Sequence, residues 1–168
     1  NIHKLVEFAE NFRANVVDIS HLLYWEIKRG KNVLFEGAQG TGLDINHGQY
    51  PLTTSSDCIA GGACTGAGIG PKMDHIIGIA KVYTTRVDGD QRSPLPTQFD
   101  SNLEEIIRNQ GEEYGATTKR PRRCGWFDAV LARHSIEVNG ADEVMLTKLD
   151  VLDSLDEIKI CTSYSIDG

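Results

Sequence analysis

The sequence predicts an α/β protein, a largely parallel sheet covered by helices. Two observations predict it. A helical apolar stripe runs into a short apolar segment that ends at a glycine loop, and helices alternate with short apolar strands through the rest of the chain. The stripe is Leu5, Phe8, Phe12, Val16, Ile19, Leu23 and Ile27, spaced by three and four residues. Asp18 or Ser20 is placed to divide it into two helices, and Gly30 to stop the second. Lys31 to Glu36, with Val33, Leu34 and Phe35, reads as a strand delivering the loop Gly37-Ala-Gln-Gly40. The carboxyl ends of strands are where α/β sheets place ligands.

Pro71, after the glycine-rich stretch Gly61 to Gly70, is placed to open a helix. Residues 76–87 read as one buried strand with the polar tip Tyr83-Thr-Thr-Arg86, and residues 88–100 as a loop. Ser101 with Glu104 predicts a capping box for a helix over 102–110, stopped by Gly111. Residues 115–125 read as a basic loop, and a helix follows from about Phe127 to Val138, ending at Asn139-Gly140. Val144 to Leu146 is a short strand that delivers Thr147-Lys-Leu-Asp150.

At 168 residues, one domain is expected, and the chain opens directly into an apolar stripe, as a piece of a longer protein does. Apolar residues make up 40 % and charged residues 24 %, which excludes a disordered or collagen-like chain. The net charge of −7 disfavours a nucleic-acid partner, since phosphate backbones are held by positive fields. There is no apolar run of the roughly 18 residues that a membrane span needs, so a cytoplasmic protein without a membrane partner is expected. Cys58, Cys64, Cys124 and Cys161 lack the paired close spacing of zinc sites and read as reduced thiols.

Three features carry chemistry. A carboxylate such as Asp150 accepts two parallel hydrogen bonds, matching the ring N–H and exocyclic amine of guanine, while the Lys148 stem can lie over a purine face. Lys119-Arg-Pro-Arg-Arg123 follows Thr117 and Thr118, a combination of hydroxyls and forked guanidiniums suited to carboxylates or phosphates. Nine of the 17 glycines fall between Gly37 and Gly70, forming with Gln39, Thr53, Thr54 and Ser55 a wall for a flat polar ligand. Gly37-Ala-Gln-Gly40-Thr41 lacks the Lys-Ser/Thr of a phosphate-binding P-loop, and Gly66-x-Gly68-x-Gly70 falls one residue short of the dinucleotide spacing. The histidines show no metal-ligand spacing, and Asp44-Ile-Asn-His47 reads as a polar turn or a support for the glycine wall.

The strings Phe35-Glu-Gly-Ala-Gln-Gly-Thr41, Ala60-Gly-Gly-Ala63, Gly68-Ile-Gly-Pro71, Tyr83-Thr-Thr-Arg-Val87, Gly115-Ala-Thr-Thr118, Arg120-Pro-Arg-Arg-Cys-Gly-Trp-Phe-Asp128 and Leu146-Thr-Lys-Leu-Asp-Val-Leu-Asp153 together resemble the adenylosuccinate synthetase family, over almost the whole chain and in the same order. The resemblance implies the central portion of an incomplete P-loop GTPase-like fold. It implies a GTP-dependent ligase of AMP biosynthesis that joins IMP and L-aspartate through 6-phosphoryl-IMP, with magnesium and a homodimer. By the same resemblance Gln39 is the catalytic candidate beside the reacting oxygen of IMP. Thr54, Val87 and Arg120 face IMP, and Ala116, Thr117, Thr118, Lys119, Arg120, Pro121 and Arg122 form the loop that closes over aspartate. Arg122, Lys148, Leu149 and Asp150 face GTP.

The magnesium ligands, the catalytic Asp and His, the amino-terminal phosphate loop and a last guanine loop fall outside residues 1–168 by this resemblance, so these residues alone are expected to be inactive. The family loop usually carries Gly where Lys119 stands, at a cost of order 1 kcal/mol if that position takes a positive φ. The competing reading is a non-catalytic guanine-nucleotide or anion-binding module.

Overall fold

The computed structural model describes residues 2–86, 94–116 and 119–166. The apolar stripe forms α1 (Ile2–Phe12) and α2 (Ile19–Lys28), separated by a short 3-10 turn at Arg13–Asn15. Of the two candidate breaks Asp18 is the cap, its carboxylate accepting from the His21 amide at 3.0 Å. The segment after Gly30 is extended but pairs with no strand among the described residues, and Leu34 is 94 % exposed. The expected strand over 31–36 is therefore absent, because a strand exists only where a neighbour accepts its backbone hydrogen bonds.

The glycine-rich stretch is itself helical. Helix α3 (Gly61–Ala67) ends at Gly68, whose φ of +67° is the left-handed cap that glycine adopts without strain. The helix thus precedes Pro71 instead of starting there, and 71–76 is irregular.

The expected single strand over 76–87 is two strands, β1 (Ile77–Lys81) and β2 (Tyr83–Arg86), in different sheets. β1 pairs in parallel with β4 (Glu143–Thr147), Ile77 opposite Glu143 and Lys81 opposite Thr147. β2 pairs antiparallel with β3 (Arg123–Asp128), which pairs in parallel with β5 (Ile160–Cys161). Val82 is the changeover: its amide extends the first ladder to Thr147 O at 3.1 Å, while its side chain enters the core. An apolar run marks burial, and burial alone does not say that a strand changes partners within it.

β3 is the second correction, since 123–125 were expected to be loop and Phe127 helical. Gly125 makes it possible: a Cβ there would lie 2.4 Å from the Thr97 carbonyl oxygen, so only glycine lets the 97–99 segment lie alongside. Helix α4 (Ser101–Gln110) packs on β3, and α5 (Ala129–Asn139) packs on β5. Asp100, not Ser101, caps α4, accepting from the Asn102 and Leu103 amides at 3.1 and 3.0 Å. Asp128 caps α5 in the same way, and Gly140 at φ +61° closes it. The core between α4 and the second sheet is Val82, Tyr83, Phe99, Ile107, Cys124, Val151 and Leu152, with the Phe99 and Trp126 rings edge to face at 4.8 Å. Ile79, Met145 and Leu146 on the β1–β4 pair remain exposed.

His75 sits where β1 and β4 start, its Nε2 2.7 Å from a Glu143 oxygen and its Nδ1 3.3 Å from Asp142. The bond to Glu143, with the two negative charges, outweighs desolvation and raises the imidazole above its ordinary 6.5. A raised folded value makes this contribution complete below pH 6.5 and lost as pH climbs through the raised value. An NMR titration is expected to give a His75 midpoint above 6.5 that falls back in Glu143→Gln; a midpoint unchanged by that substitution rejects the contact. Asp100→Ala is expected to cost about 1 kcal/mol in urea denaturation, and Ser101→Ala a few tenths. Equal losses would return the cap to Ser101.

Candidate ligand site

The described residues gather the polar candidates into two groups. The first is built on Asp44, which is fully buried and accepts four backbone N–H groups. Asn46 and His47 donate to one oxygen at 2.9 Å each, and Cys58 and Ile59 donate to the other at 2.6 and 3.2 Å. Burial pushes this carboxyl up, but the four N–H bonds overcome it and hold the pKa at about 2. Asp44 thereby clamps residues 44–47 against 58–59. The Thr54 amide and hydroxyl both donate to Leu43 O, at 2.8 and 3.0 Å. The Cys58 thiol stands between the two candidates, donating to Gln39 Oε1 at 3.1 Å and lying 3.4 Å from Thr54 Oγ1. Gln39 itself has a left-handed φ of +68°, which turns its side chain out of the preceding extended segment.

The second group is built on Glu113. This residue is also fully buried, and its oxygens accept from Lys81 Nζ at 2.7 Å, Tyr83 Oη at 2.7 Å and Arg122 Nη1 at 2.8 Å, with Lys148 Nζ at 3.8 Å. Lys148 Nζ also donates to the carbonyl of Gly111. Desolvation pushes Glu113 up, but the bonds from Lys81, Tyr83 and Arg122 win and keep it ionised. Burial, with smaller help from the like charges of Arg122 and Lys148, draws Lys81 down and outweighs the bond and charge of Glu113 that draw it up. Burial and the adjacent carboxylate together hold the Tyr83 phenol protonated.

The basic loop is closed by its own backbone. Gly115 N–H donates to Arg120 O at 2.8 Å, Lys119 N–H to Gly115 O at 2.9 Å and Arg122 N–H to Glu113 O at 2.9 Å, with a bridge between Tyr114 and Pro121. Ala116, Lys119, Arg120 and Pro121 are exposed on it, while Arg122 is half-buried at its base. Lys119 has a φ of +54°, the left-handed conformation that was the condition for strain at this position. Lys148 is likewise left-handed, at +60°, and starts the short 3-10 turn Leu149–Leu152 that leaves Leu149 and Asp150 exposed. Val87, Thr117 and Thr118 lie outside the described residues.

Strand β2 links the two groups. Tyr83 reaches Glu113 from one pleat face, and Arg86 on the other donates to Gln49 Oε1 in the Asp44 loop. A cavity of about 290 Å³ opens between this loop and α5, lined by His47, Gln49, Leu131, His134 and Tyr164 among others.

Sequence reading missed Glu113 and Lys81. Glu113 stands in Gly111-Glu-Glu-Tyr114, which looks like an ordinary solvated helix stop, and no spacing signals the burial. Asp44 was legible as a polar turn, through the Asx-type bond to the residue two positions on, but its reach to Cys58 and Ile59 was not.

The geometry defines an α/β protein whose polar groups are carried on loops and on the strands β1 and β2. A sequence profile described as adenylosuccinate synthetase matches residues 1–168. The chain is 53 % identical to the adenylosuccinate synthetase of Microcystis aeruginosa over 168 residues, and 56 % identical to that of a Picosynechococcus strain over 162. It spans about 37 % of the length of the first of these and 36 % of the second. Among solved structures, the fully ligated adenylosuccinate synthetase of Plasmodium falciparum matches with a TM-score of 0.86 at 38 % identity, covering 93 % of this chain and 36 % of that one. The cyanophage S-2L succinoaminodeoxyadenylate synthetase, bound to dGMP and dATP as an energy donor, matches with a TM-score of 0.53 at 30 % identity, covering 66 % of this chain and 34 % of that one. The chain belongs to the adenylosuccinate synthetase family.

A depressed carboxyl contributes stability above its unfolded value and loses it as pH falls through the folded one. Asp44 is therefore expected to hold its loop fully above pH 3.8 and to release it as pH falls through about 2. A carboxyl NMR titration midpoint at 3.8 would reject the four-bond clamp. Lys119→Gly is expected to gain up to ~1 kcal/mol in urea denaturation, relief of the left-handed strain exceeding the added chain entropy; a net loss would place no strain there.

Proposed function

We propose that residues 1–168 are the central portion of a GTP-dependent synthetase that joins IMP and L-aspartate into adenylosuccinate, working in the cytoplasm as a homodimer. The family match over the whole of residues 1–168 carries this reading. The two side-chain groups support it, because the first offers what IMP requires and the second what aspartate and GTP require.

Gln39 and Thr54, held together through Cys58, suit IMP: the amide of Gln39 for the base beside the 6-oxygen, the hydroxyl of Thr54 for the phosphate. The exposed loop with Lys119 and Arg120, fixed at its base by Glu113 and Arg122, suits the two carboxylates of aspartate. Arg120 also faces IMP in this reading, and Arg122 faces GTP. The Lys148 stem, its ammonium anchored on Gly111 O, offers a flat aliphatic surface to the guanine ring. Exposed Asp150 accepts from the guanine N–H pair, and Leu149 beside it covers the ring.

What these residues contribute is placement and charge: the 6-oxygen of IMP, once the ring has lost its proton, attacks the γ-phosphate of GTP as GDP leaves, and the aspartate amine then displaces phosphate from 6-phosphoryl-IMP and gives up a proton. Magnesium is the family's metal, and by the same resemblance its ligands fall outside residues 1–168; among the described residues there is no group of three or more His, Cys, Asp or Glu placed to hold a metal ion. By this reading residues 1–168 alone give no turnover, while the full-length protein does.

Turnover is assayed with IMP, GTP, aspartate and magnesium, and with ATP in place of GTP. Asp150→Asn in the full-length protein is expected to weaken GTP roughly tenfold or more and to relax discrimination against inosine nucleotide, since the lost carboxylate leaves guanine donors unpaired. Unchanged GTP use would remove Asp150 from the base. Arg120→Leu is expected to raise the KM for aspartate and IMP while sparing GTP; an unaltered aspartate KM would take the loop out of the site.

A further inference from the structure

Glu113 belongs to none of the motifs, yet among the described residues it is the one buried carboxylate on which three cations converge. Two of them come from different candidate subsites. Arg122 closes the basic loop, and Lys148 opens the Lys-Leu-Asp turn. The oxygen that takes Arg122 Nη1 is Oε2, at 2.8 Å, while Oε1 takes Tyr83 Oη and faces Lys148. The carboxylate thus acts as a two-ended spacer.

Its surroundings are crowded. The Arg122 amide donates to Glu113 O at 2.9 Å, so side chain and backbone pin the same pair twice. A Cβ on Gly111 would lie 2.4 Å from Tyr83 Oη and 3.3 Å from Glu113 Cγ, which leaves no room beside the hydrogen bond. Arg122 Nε is buried and makes no hydrogen bond, so the guanidinium is aimed by Glu113 without all its donors being used.

We propose that Glu113 is a positioning residue that fixes Arg122 and Lys148 relative to one another, so that the aspartate-binding loop and the guanine contact are set as one unit. This rests on the reading of the site given above. Arg and Lys are long side chains with many rotamers, and a buried, ionised carboxylate that accepts from Arg122 and attracts Lys148 from 3.8 Å, beside the Gly111 carbonyl that Lys148 donates to, restricts that freedom before substrate arrives. Loss of the charge then affects chiefly the two substrates that Arg122 and Lys148 face; of the IMP candidates, Gln39 and Thr54 stay held by Asp44 and Cys58 and Arg120 shares the loop, so IMP is affected least.

The experiment compares Glu113→Gln, Glu113→Asp and Tyr83→Phe in the full-length protein, with thermal denaturation beside the kinetics. Glu113→Gln is expected to raise the KM for GTP and for aspartate together, each roughly tenfold as for a lost charge-assisted bond, with the IMP KM within about twofold. Glu113→Asp is expected to recover part of both, because charge is kept. Tyr83→Phe removes one bond to the same carboxylate and leaves Arg122 and Lys148 in place, so it is expected to lower stability while leaving all three KM values within about twofold. The proposal is overturned if Glu113→Gln folds with GTP and aspartate constants unchanged, if all three constants rise in parallel with lost stability, or if Tyr83→Phe reproduces the pattern. It is overturned equally if both Glu113 variants fail to fold while Tyr83→Phe folds, since the carboxylate is then structural alone. Absence of turnover in the unsubstituted full-length protein would instead overturn the proposed function, and direct binding of GTP and aspartate to the three variants then decides the role of Glu113.

Discussion

The second half of the chain is organised around a carboxylate that water does not reach. Ionised Glu113 needs positive partners to remain in the interior, and it finds them on β1, at the end of the basic loop and after β4, with the Tyr83 hydroxyl from β2. Each of these elements is positioned by ordinary backbone pairing, but their mutual placement also has to satisfy this charge. Removing one partner of such a group costs about 3–5 kcal/mol, more than any single helix cap in the molecule. The changeover at Val82 follows the same logic: it lets Lys81 belong to one sheet and Tyr83 to the other while both address one acceptor.

Asp44 does comparable work in the first half by a different route. Among the described residues no cation pairs with it, and its charge is held by four backbone N–H groups from two separated segments. A loop with so many glycines has little side-chain packing to define it, so a buried anion that collects its amides supplies the definition instead. Gln39 and Thr54 inherit their proximity from that clamp, through Leu43 and Cys58. The two anions therefore make two local frames, and β2 between them carries Tyr83 toward one and Arg86 toward the other.

The candidate site residues could be nominated from the sequence because they lie in contiguous strings. Lys148, Leu149 and Asp150 follow an apolar run, and Arg120 and Arg122 stand in a basic cluster within an acidic chain. The strain at Lys119 was legible as a condition, and its φ of +54° meets that condition. What failed had a common cause. The strand expected over 31–36, the single strand over 76–87 and the loop expected over 123–125 were judged from local apolar pattern. Strands are defined by partners, and neither the missing neighbour of Leu34 nor the Thr97 backbone beside Gly125 leaves a mark on the local sequence. Ser101 lost the cap to Asp100 for a smaller reason: both types cap well, and the backbone turn one residue earlier decided between them.

The sequence by itself determined the family, the α/β class and the candidate residues of each subsite, because these depend on residue types at fixed local spacing. Tertiary structure alone decided that Glu113 is buried among Lys81, Tyr83, Arg122 and Lys148, that Cys58 stands between Gln39 and Thr54, and that one apolar run serves two sheets. Those outcomes depend on segments distant in sequence meeting in space, and a buried charge shows its partners only once the chain has closed around it.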